Sequence, residues 1–384
     1  MDDTRNCIEW TTMKAGNNQA WFNGTCNTAN SNYTAGIRSS LPATLTIGIF
    51  GIIANGFICY TVIKKKLLHL SIYSLICNMC ISDGISLLSI ILNTILSTLR
   101  TFYNVRDRQG LAPYEIGCKL SYFILSSGFT VSTVSLAIIS VDRYHIIVGS
   151  IGQNSILNTK RKIRSAIICV WIYSFATNCP IIRFMYIPID APSTCDIYLY
   201  GYNENTLYYL VVSVLNYFIP LTIMIIMYGR IARHLKKTIT PLNSIHSISN
   251  SSSYSISLPG TSIASASSFQ INRKRRVAII KMIAIATTVY MLTSFPYVLI
   301  ILTSAFTQMT ILQLRNSGNP AASALITVGF ISTSIACIEN PIVYLIYNKV
   351  LRSALPQCCQ PSQTRRVSQV HAVRSSTKHQ FIFR

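Results

Sequence analysis

Seven stretches of the chain carry almost no charge: 41–63, 71–99, 120–141, 165–182, 206–228, 282–314 and 316–347. Each reaches the roughly 20 residues that an α-helix needs to cross a bilayer. Leu, Ile, Phe, Tyr and small residues fill them without the two-residue alternation of barrel strands. A backbone in lipid must satisfy its own hydrogen bonds, so the pattern predicts an all-α membrane protein, a bundle of seven transmembrane helices. The polar remainder sets off a segment at 1–40, a helical body at 41–347 and a tail at 348–384. Within the body, 235–272 is rich in Ser and has no apolar periodicity, and a disordered loop is expected there. Beyond the seventh stretch Val350, Leu351, Ala354 and Leu355 share a helical face that Lys349 and Arg352 avoid, which predicts a short amphipathic helix lying on the membrane.

Composition agrees, since 50% of residues are hydrophobic, 11% are charged and the mean hydropathy is +0.41. Charge placement then orients the bundle. Lys64, Lys65 and Lys66, the run Lys160 to Arg164, and Arg230, Arg233, Lys236, Lys237 and Arg273 to Arg276 fall in alternate connections, and the tail is also basic. The positive-inside rule puts these segments in the cytoplasm and the N-terminus outside. The formal charge of +22 thus reflects topology, and its scatter in short groups excludes a nucleic-acid surface. No cleavable leader is legible before the first span, because Asp2 and Asp3 occur at the start and no short apolar segment follows them; that span is expected to insert itself. Asn23-Gly24-Thr25 and Asn32-Tyr33-Thr34 are glycosylation acceptors on the predicted outer side.

Four of the twelve cysteines, Cys7, Cys26, Cys118 and Cys195, face the oxidising side. A bond from Cys118, which opens the third span, to Cys195, between the fourth and fifth, would tie that loop over the mouth of the bundle; Cys7 with Cys26 is a second pairing. The six histidines are scattered with no ligand spacing, so neither an enzyme nor a metal centre is expected. A transporter's internal repeat is absent as well.

Asp142-Arg143-Tyr144 closes the third span, and other polar and proline residues recur at matching depths. With Asn55, Asp83, Cys118, Trp171, Pro220, Tyr228, Pro296 and Asn340-Pro341-Ile342-Val343-Tyr344 in their spans, the chain resembles the rhodopsin-like, class A family of G-protein-coupled receptors from about 41 to 355. The resemblance implies a multi-pass plasma-membrane receptor that binds an extracellular ligand and activates a heterotrimeric G protein as its sixth helix moves outward. Receptor kinases and arrestin are implied as further partners, with the third cytoplasmic loop as kinase substrate.

In that scheme Asp142 holds the permanently charged Arg143 at rest, and Arg143 with Ile151 forms the docking core. Tyr228 and Tyr344 swing inward on activation, while Pro296 and Pro341 let their helices bend. Asp83, Ser132 and Asn340 match the family's oxygens around a sodium ion; the alternative is a protonated Asp83 bonded to Asn55 and Asn340. Cys358 and Cys359 are palmitoylation candidates. Several residues depart from the family pattern. Ser294 stands where a tryptophan is usual, Tyr290 replaces a phenylalanine, Ala336 replaces a polar residue of the sodium cluster, and Ser150 replaces a loop proline. Arg276 stands where some members carry an acid that pins Arg143. Glu339 is an unexpected acid in an apolar helix, facing either Asp83 or a polar cavity.

The ligand is less legible. Leu125 stands where amine receptors of the family carry an aspartate, which disfavours an amine, and Ser334 replaces the lysine that binds retinal in opsins. Segment 183–202 alternates apolar and polar residues about a turn signal, so a hairpin lid is expected. Its tyrosines with Asp190, Asp196 and Glu204 suit a peptide bearing Arg or Lys. Arg100, Arg106 and Arg108 at the upper helix ends leave a lipid or nucleotide ligand open. A homologue that binds without coupling is the remaining alternative, because Ser294 removes a usual switch element.

Overall fold

The computed structural model describes residues 26–103, 105, 108–149, 155–189, 191, 194–249 and 263–354, with side chains described at 41–103, 105, 110–149, 155–189, 191, 194–201, 203–236 and 278–354. The described residues contain seven helices long and apolar enough to span a membrane: Leu41–Lys64, Ser71–Phe102, Gly110–Val148, Lys160–Phe184, Asn203–Lys236, Ala278–Thr307 and Pro320–Tyr347. They are numbered here as the first to seventh spans. The first packs on the second and seventh, the third on the second, fourth and fifth, and the sixth on the fifth and seventh. The third is the most deeply buried of them.

The distribution of side chains is that of a bundle in lipid. Ile53, Ile172, Ile225 and Leu292 are more than 60% exposed on the outside. Asn55, Ser82, Asp83, Ser132, Ser135, Thr287 and Asn340 line the interior and are almost fully buried. Lipid solvates the apolar outer face, so polar side chains gain only by turning inward, where they hydrogen-bond between helices. Gly128 shows how closely the helices approach: a Cβ there would lie 3.1 Å from the Ser82 carbonyl oxygen, so the second and third spans meet backbone to backbone.

Local sequence explains the ends and irregularities. Thr159 caps the fourth span by accepting from the Lys162 N–H. Asn319 caps the seventh, with Pro320 at its first position. Thr310 and Gln313 form a reciprocal capping box at the start of a short helix, Ile311–Asn316, which roofs the gap between the sixth and seventh spans. Pro220 has no N–H to donate, and the turn before it, Val214–Phe218, opens to π geometry. The expected hairpin is present as β1 (Met185–Tyr186) antiparallel to β2 (Asp196–Ile197), with Met185 opposite Ile197 and Tyr186 opposite Asp196. Cys118 and Cys195 are joined by a disulfide, Cα to Cα 5.9 Å, which pins this hairpin to the third span.

Two elements differ in extent from the sequence expectation. Helix begins at Cys26, before the 41 boundary, and includes the backbone of Asn32. The segment 235–272, expected to be structureless, carries helix at both ends: the fifth helix continues to Ser249 and the sixth begins at Ile263. Asn23, Cys7, Asp190, Ile151, Cys358 and Cys359 lie outside the described residues. The helix after the seventh span is a single turn, Lys349–Arg352, capped by Asn348. Leu351 is fully buried beneath it while Val350 is exposed, and Lys65 Nζ donates to the Val350 carbonyl at 2.6 Å.

Candidate functional site

At the cytoplasmic end Asp142 is 2% exposed and accepts three hydrogen bonds, from Arg143, from Ser155 and, at 2.9 Å, from Ser71 Oγ. Arg143 also donates to Ser71 Oγ at 3.1 Å. The guanidinium is therefore held against the start of the second span and away from the sixth. Tyr144 points elsewhere, with the Arg230 guanidinium 5.9 Å from its ring centre. Arg143 lies on the wall of a cavity of about 1060 Å³ that opens at this end, with Ile146, Ile279, Met282, Tyr347 and Lys349 among its other walls. Tyr228 Oη lies 3.2 Å from Thr287 Oγ1 on the sixth span, and Tyr344 Oη donates to Met79 Sδ at 3.9 Å on the second. The two tyrosines thus engage different helices and do not meet.

In mid-membrane Asp83 is 2% exposed, receiving Ser132 Oγ at 2.7 Å and Asn340 Nδ2 at 3.1 Å. Asn55 does not reach it; its amide donates instead to the Gly51 and Cys337 carbonyls, both at 2.9 Å. Part of the alternative drawn from sequence, an Asn55–Asp83 bond, is thereby corrected: the seventh helix offers Asn55 an open carbonyl closer at hand. Asn340 Oδ1 is buried and has no hydrogen-bond partner. With the Asp83 carboxylate and Ser132 Oγ it makes a set of hard oxygens that fits a small cation such as sodium. Glu339 is 6% exposed and takes Thr293 Oγ1 at 3.0 Å on Oε2, so it ties the seventh span to the sixth. Pro296 and Pro341 sit inside their helices beside this contact. Ser294, in the place of the expected tryptophan, folds back on its own helix and donates to the Tyr290 carbonyl at 2.6 Å.

On the outer side the smaller serine leaves space. Ser294, Phe129, Thr130, Tyr209, Asn216 and Tyr297 are among the walls of a chamber of about 70 Å³ between the third, fourth, fifth and sixth spans. None of its described lining residues is charged. Asn216 Oδ1 and the Tyr209 hydroxyl are buried there without a protein hydrogen-bond partner among the described residues.

The mouth differs from expectation. Asp196, expected as a charge facing the ligand, is 2% exposed; its Oδ1 accepts from the Ile197 and Ile311 N–H groups, and its Oδ2 from the Leu312 N–H. It caps the short helix Ile311–Asn316, because free N–H groups at a helix start outcompete water for a nearby carboxylate. Glu204 is exposed and already faces Arg183 at 3.3 Å. Leu125 is buried in the third span.

Sequence reasoning did not single out Ser71, Ser155, Thr287, Thr293 or Asn216. Hydroxyl and amide residues are common, and only the tertiary arrangement selects these; Asn216, an amide in an apolar stretch four residues before Pro220, carried the one local signal.

Comparison with known proteins agrees with this geometry. The family described as 7 transmembrane receptor (rhodopsin family) matches residues 54–344. Relatives include 5-hydroxytryptamine receptor 1B of Didelphis virginiana, 26% identical over 195 residues, 48% of this chain and 46% of that one. The D(3) dopamine receptor of Mus musculus is 25% identical over 244 residues, 58% and 49% of the two chains. Melanocortin receptor 4 of Danio rerio is 27% identical over 129 residues, 34% and 39% of the two. The chain spans about half the length of the relatives it matches or less. Squid rhodopsin shares the fold at a TM-score of 0.64 and 21% identity, covering 85% of this chain and 88% of that one. The chain belongs to the rhodopsin family of seven-transmembrane receptors; these are receptors and not enzymes.

Proposed function

We propose that this receptor lies in the plasma membrane, binds an extracellular ligand in the chambers beneath the β1–β2 hairpin, and activates a heterotrimeric G protein through its cytoplasmic cavity. The observation that carries the reading is Arg143, held by Asp142 and Ser71 on the wall of the 1060 Å³ cavity. Release of the guanidinium frees a planar donor fork toward carbonyls of a partner helix, while outward movement of the sixth helix parts Tyr228 from Thr287. Asp83, Ser132 and Asn340 would hold a sodium ion that supports the resting arrangement, because it draws the second, third and seventh helices together. The basic, Ser-rich third loop suits receptor kinases, and arrestin would follow at the same cavity.

A peptide is the favoured ligand. The hairpin leaves a mouth rimmed by Tyr198 and Tyr200, both more than 40% exposed, and aromatic rims of this kind suit peptide side chains. Two of the three relatives are named for 5-hydroxytryptamine and dopamine. Leu125 and the uncharged chamber argue against an amine here, since a buried ammonium without a carboxylate partner is strongly disfavoured.

The test is G-protein activation in cells expressing the wild type or Arg143→Ala at matched surface density. The variant is expected to lose at least tenfold of the output with binding retained. Equal output from both would reject the coupling mechanism, and a wild type silent toward every G protein would favour the non-coupling homologue.

A further inference from the structure

The chain carries 33 Lys and Arg against 11 Asp and Glu. Asp83 and Glu339 lie in mid-membrane, and every other acid except Asp142 falls in a segment that the positive-inside rule places outside. Asp142 is thus the one acidic side chain at the cytoplasmic end, and Arg143, Ser71 and Ser155 already surround it. The remaining inner cations have no free side-chain carboxylate of their own chain to pair with, whatever the arrangement of the loops.

Several of those cations find other partners. Lys64 Nζ stands 5.3 Å from the Tyr60 ring centre, Lys65 donates to the Val350 carbonyl and to Ser353, and Arg352 donates to the Ile346 carbonyl at 3.0 Å. The start of the fourth span differs. There Lys160, Arg161 and Arg164, with Ser165 and Ile168, line a cavity of about 390 Å³ on the outside of the bundle. All five are exposed, and none of the three cations has a side-chain ion pair or hydrogen bond to a described residue.

The same helix face continues into the membrane. Positions 161, 164, 165, 168, 172 and 175 follow the three-and-four spacing of one helical side, and Ile168, Ile172 and Phe175 are 51%, 63% and 43% exposed. The basic end therefore stands at the level of the headgroups, and the apolar stripe runs along the acyl chains. An amphiphile with a negative head and an apolar tail matches both halves of this face. A soluble anion matches only the first.

We propose that this face of the fourth span binds an anionic phospholipid of the cytoplasmic leaflet, with its phosphate among Lys160, Arg161 and Arg164 and one acyl chain along Ile168, Ile172 and Phe175. Guanidinium groups pair with phosphate oxygens through planar donor forks, and the Ser165 hydroxyl adds a neutral donor. The seat is separate from the outer chamber and from the cavity at Arg143, so it needs neither ligand nor G protein.

Trp171 borders the stripe, its ring 5.4 Å from that of Phe175, and serves as the reporter. The other two tryptophans are Trp10 and Trp21, so the experiment uses the full chain with Trp10→Phe and Trp21→Phe, which leaves Trp171 as the single emitter. The protein is placed in phosphatidylcholine nanodiscs with a minority of phosphatidylserine or of phosphatidylcholine brominated in its acyl chains, and quenching of Trp171 is read. Brominated phosphatidylserine is expected to quench with an apparent affinity about fivefold above that of brominated phosphatidylcholine, and Arg161→Gln with Arg164→Gln to bring the two within about twofold. Lys64→Gln with Lys66→Gln removes the same charge at the inner end of the first span and is expected to leave the preference intact. Both pairs are exposed, so the substitutions leave the interior of the bundle untouched. Equal quenching by the two lipids in the wild type, or a preference that survives loss of Arg161 and Arg164, would overturn the proposal. An equal loss in the Lys64 and Lys66 variant would do the same, because the preference would then belong to the whole inner surface. Relief of quenching by soluble glycerophosphoserine at matched concentration would remove the acyl chain from the site and reject a lipid as its occupant.

Discussion

The two ends of this bundle bury polar groups of different kinds. At the cytoplasmic end the buried groups are charged: Asp142 has three donors, from Arg143, Ser71 and Ser155, while Arg143 Nε is buried without a partner among the described residues. At the outer end the buried groups are neutral, with Asn216 Oδ1 and the Tyr209 hydroxyl lacking a protein partner among the described residues. A charged hydrogen-bond network rigidifies one arrangement, whereas neutral groups in a chamber exchange partners at lower cost. The contrast teaches that a change of state at the inner end must break charge-assisted bonds, whereas the outer end involves only neutral groups.

The largest expected effect comes from breaking the outer scaffold. Cys118→Ser removes the covalent tie between the hairpin and the third span. A disulfide closing a loop of this length contributes about 2–4 kcal/mol. Surface receptor counted by antibody on intact cells is expected to fall severalfold, and the remainder to bind no ligand. Normal surface density with unaltered binding would mean that the hairpin holds its place by packing alone, and the outer end would then be less dependent on its lid than the inner end on Asp142.

Next in size is Asp196→Ala. Three N–H groups, at Ile197, Ile311 and Leu312, lose their acceptor, a cost of about 1–3 kcal/mol concentrated at one helix start. Hydrogen exchange is expected to accelerate across 311–316 and the melting temperature of the purified receptor to drop, with the cytoplasmic cavity unaffected. Asp196→Asn keeps an acceptor oxygen and is expected to fall between. A variant that melts normally but loses a cationic ligand would restore Asp196 as a binding charge.

Asp196 also marks the limit of what the chain reveals before folding. Seven spans and the hairpin follow from hydropathy and alternation, and compartment narrows the disulfide candidates to four cysteines, because those forces act along the sequence itself. Asp142 and Arg143 stand out since charge in an apolar stretch needs a reason. Asp196 carries the same charge, yet its direction depends on a helix that begins at Ile311, more than a hundred residues away. Ser71 and Ser155 were hidden for the same reason: a hydroxyl has no distinguishing signature until a carboxylate arrives beside it.

The smallest effect tests the inner end. Tyr228 and Thr287 join the fifth and sixth spans by one hydroxyl pair at 3.2 Å. Such a bond is worth about 1 kcal/mol net, roughly a fivefold shift between two states. Thr287→Val removes it while leaving the Tyr228 hydroxyl free for the active arrangement, so basal nucleotide exchange is expected to rise about that much. Tyr228→Phe deletes the same bond but also the hydroxyl that the proposed mechanism uses after the sixth helix moves, so both states lose and basal exchange is expected to stay flat or fall. In the Tyr228→Phe background Thr287→Val then has nothing left to release and should be silent. An undiminished rise in that background would mean that Thr287 restrains the helix by packing. The sixth helix would then be held at the inner end by packing rather than by bonds.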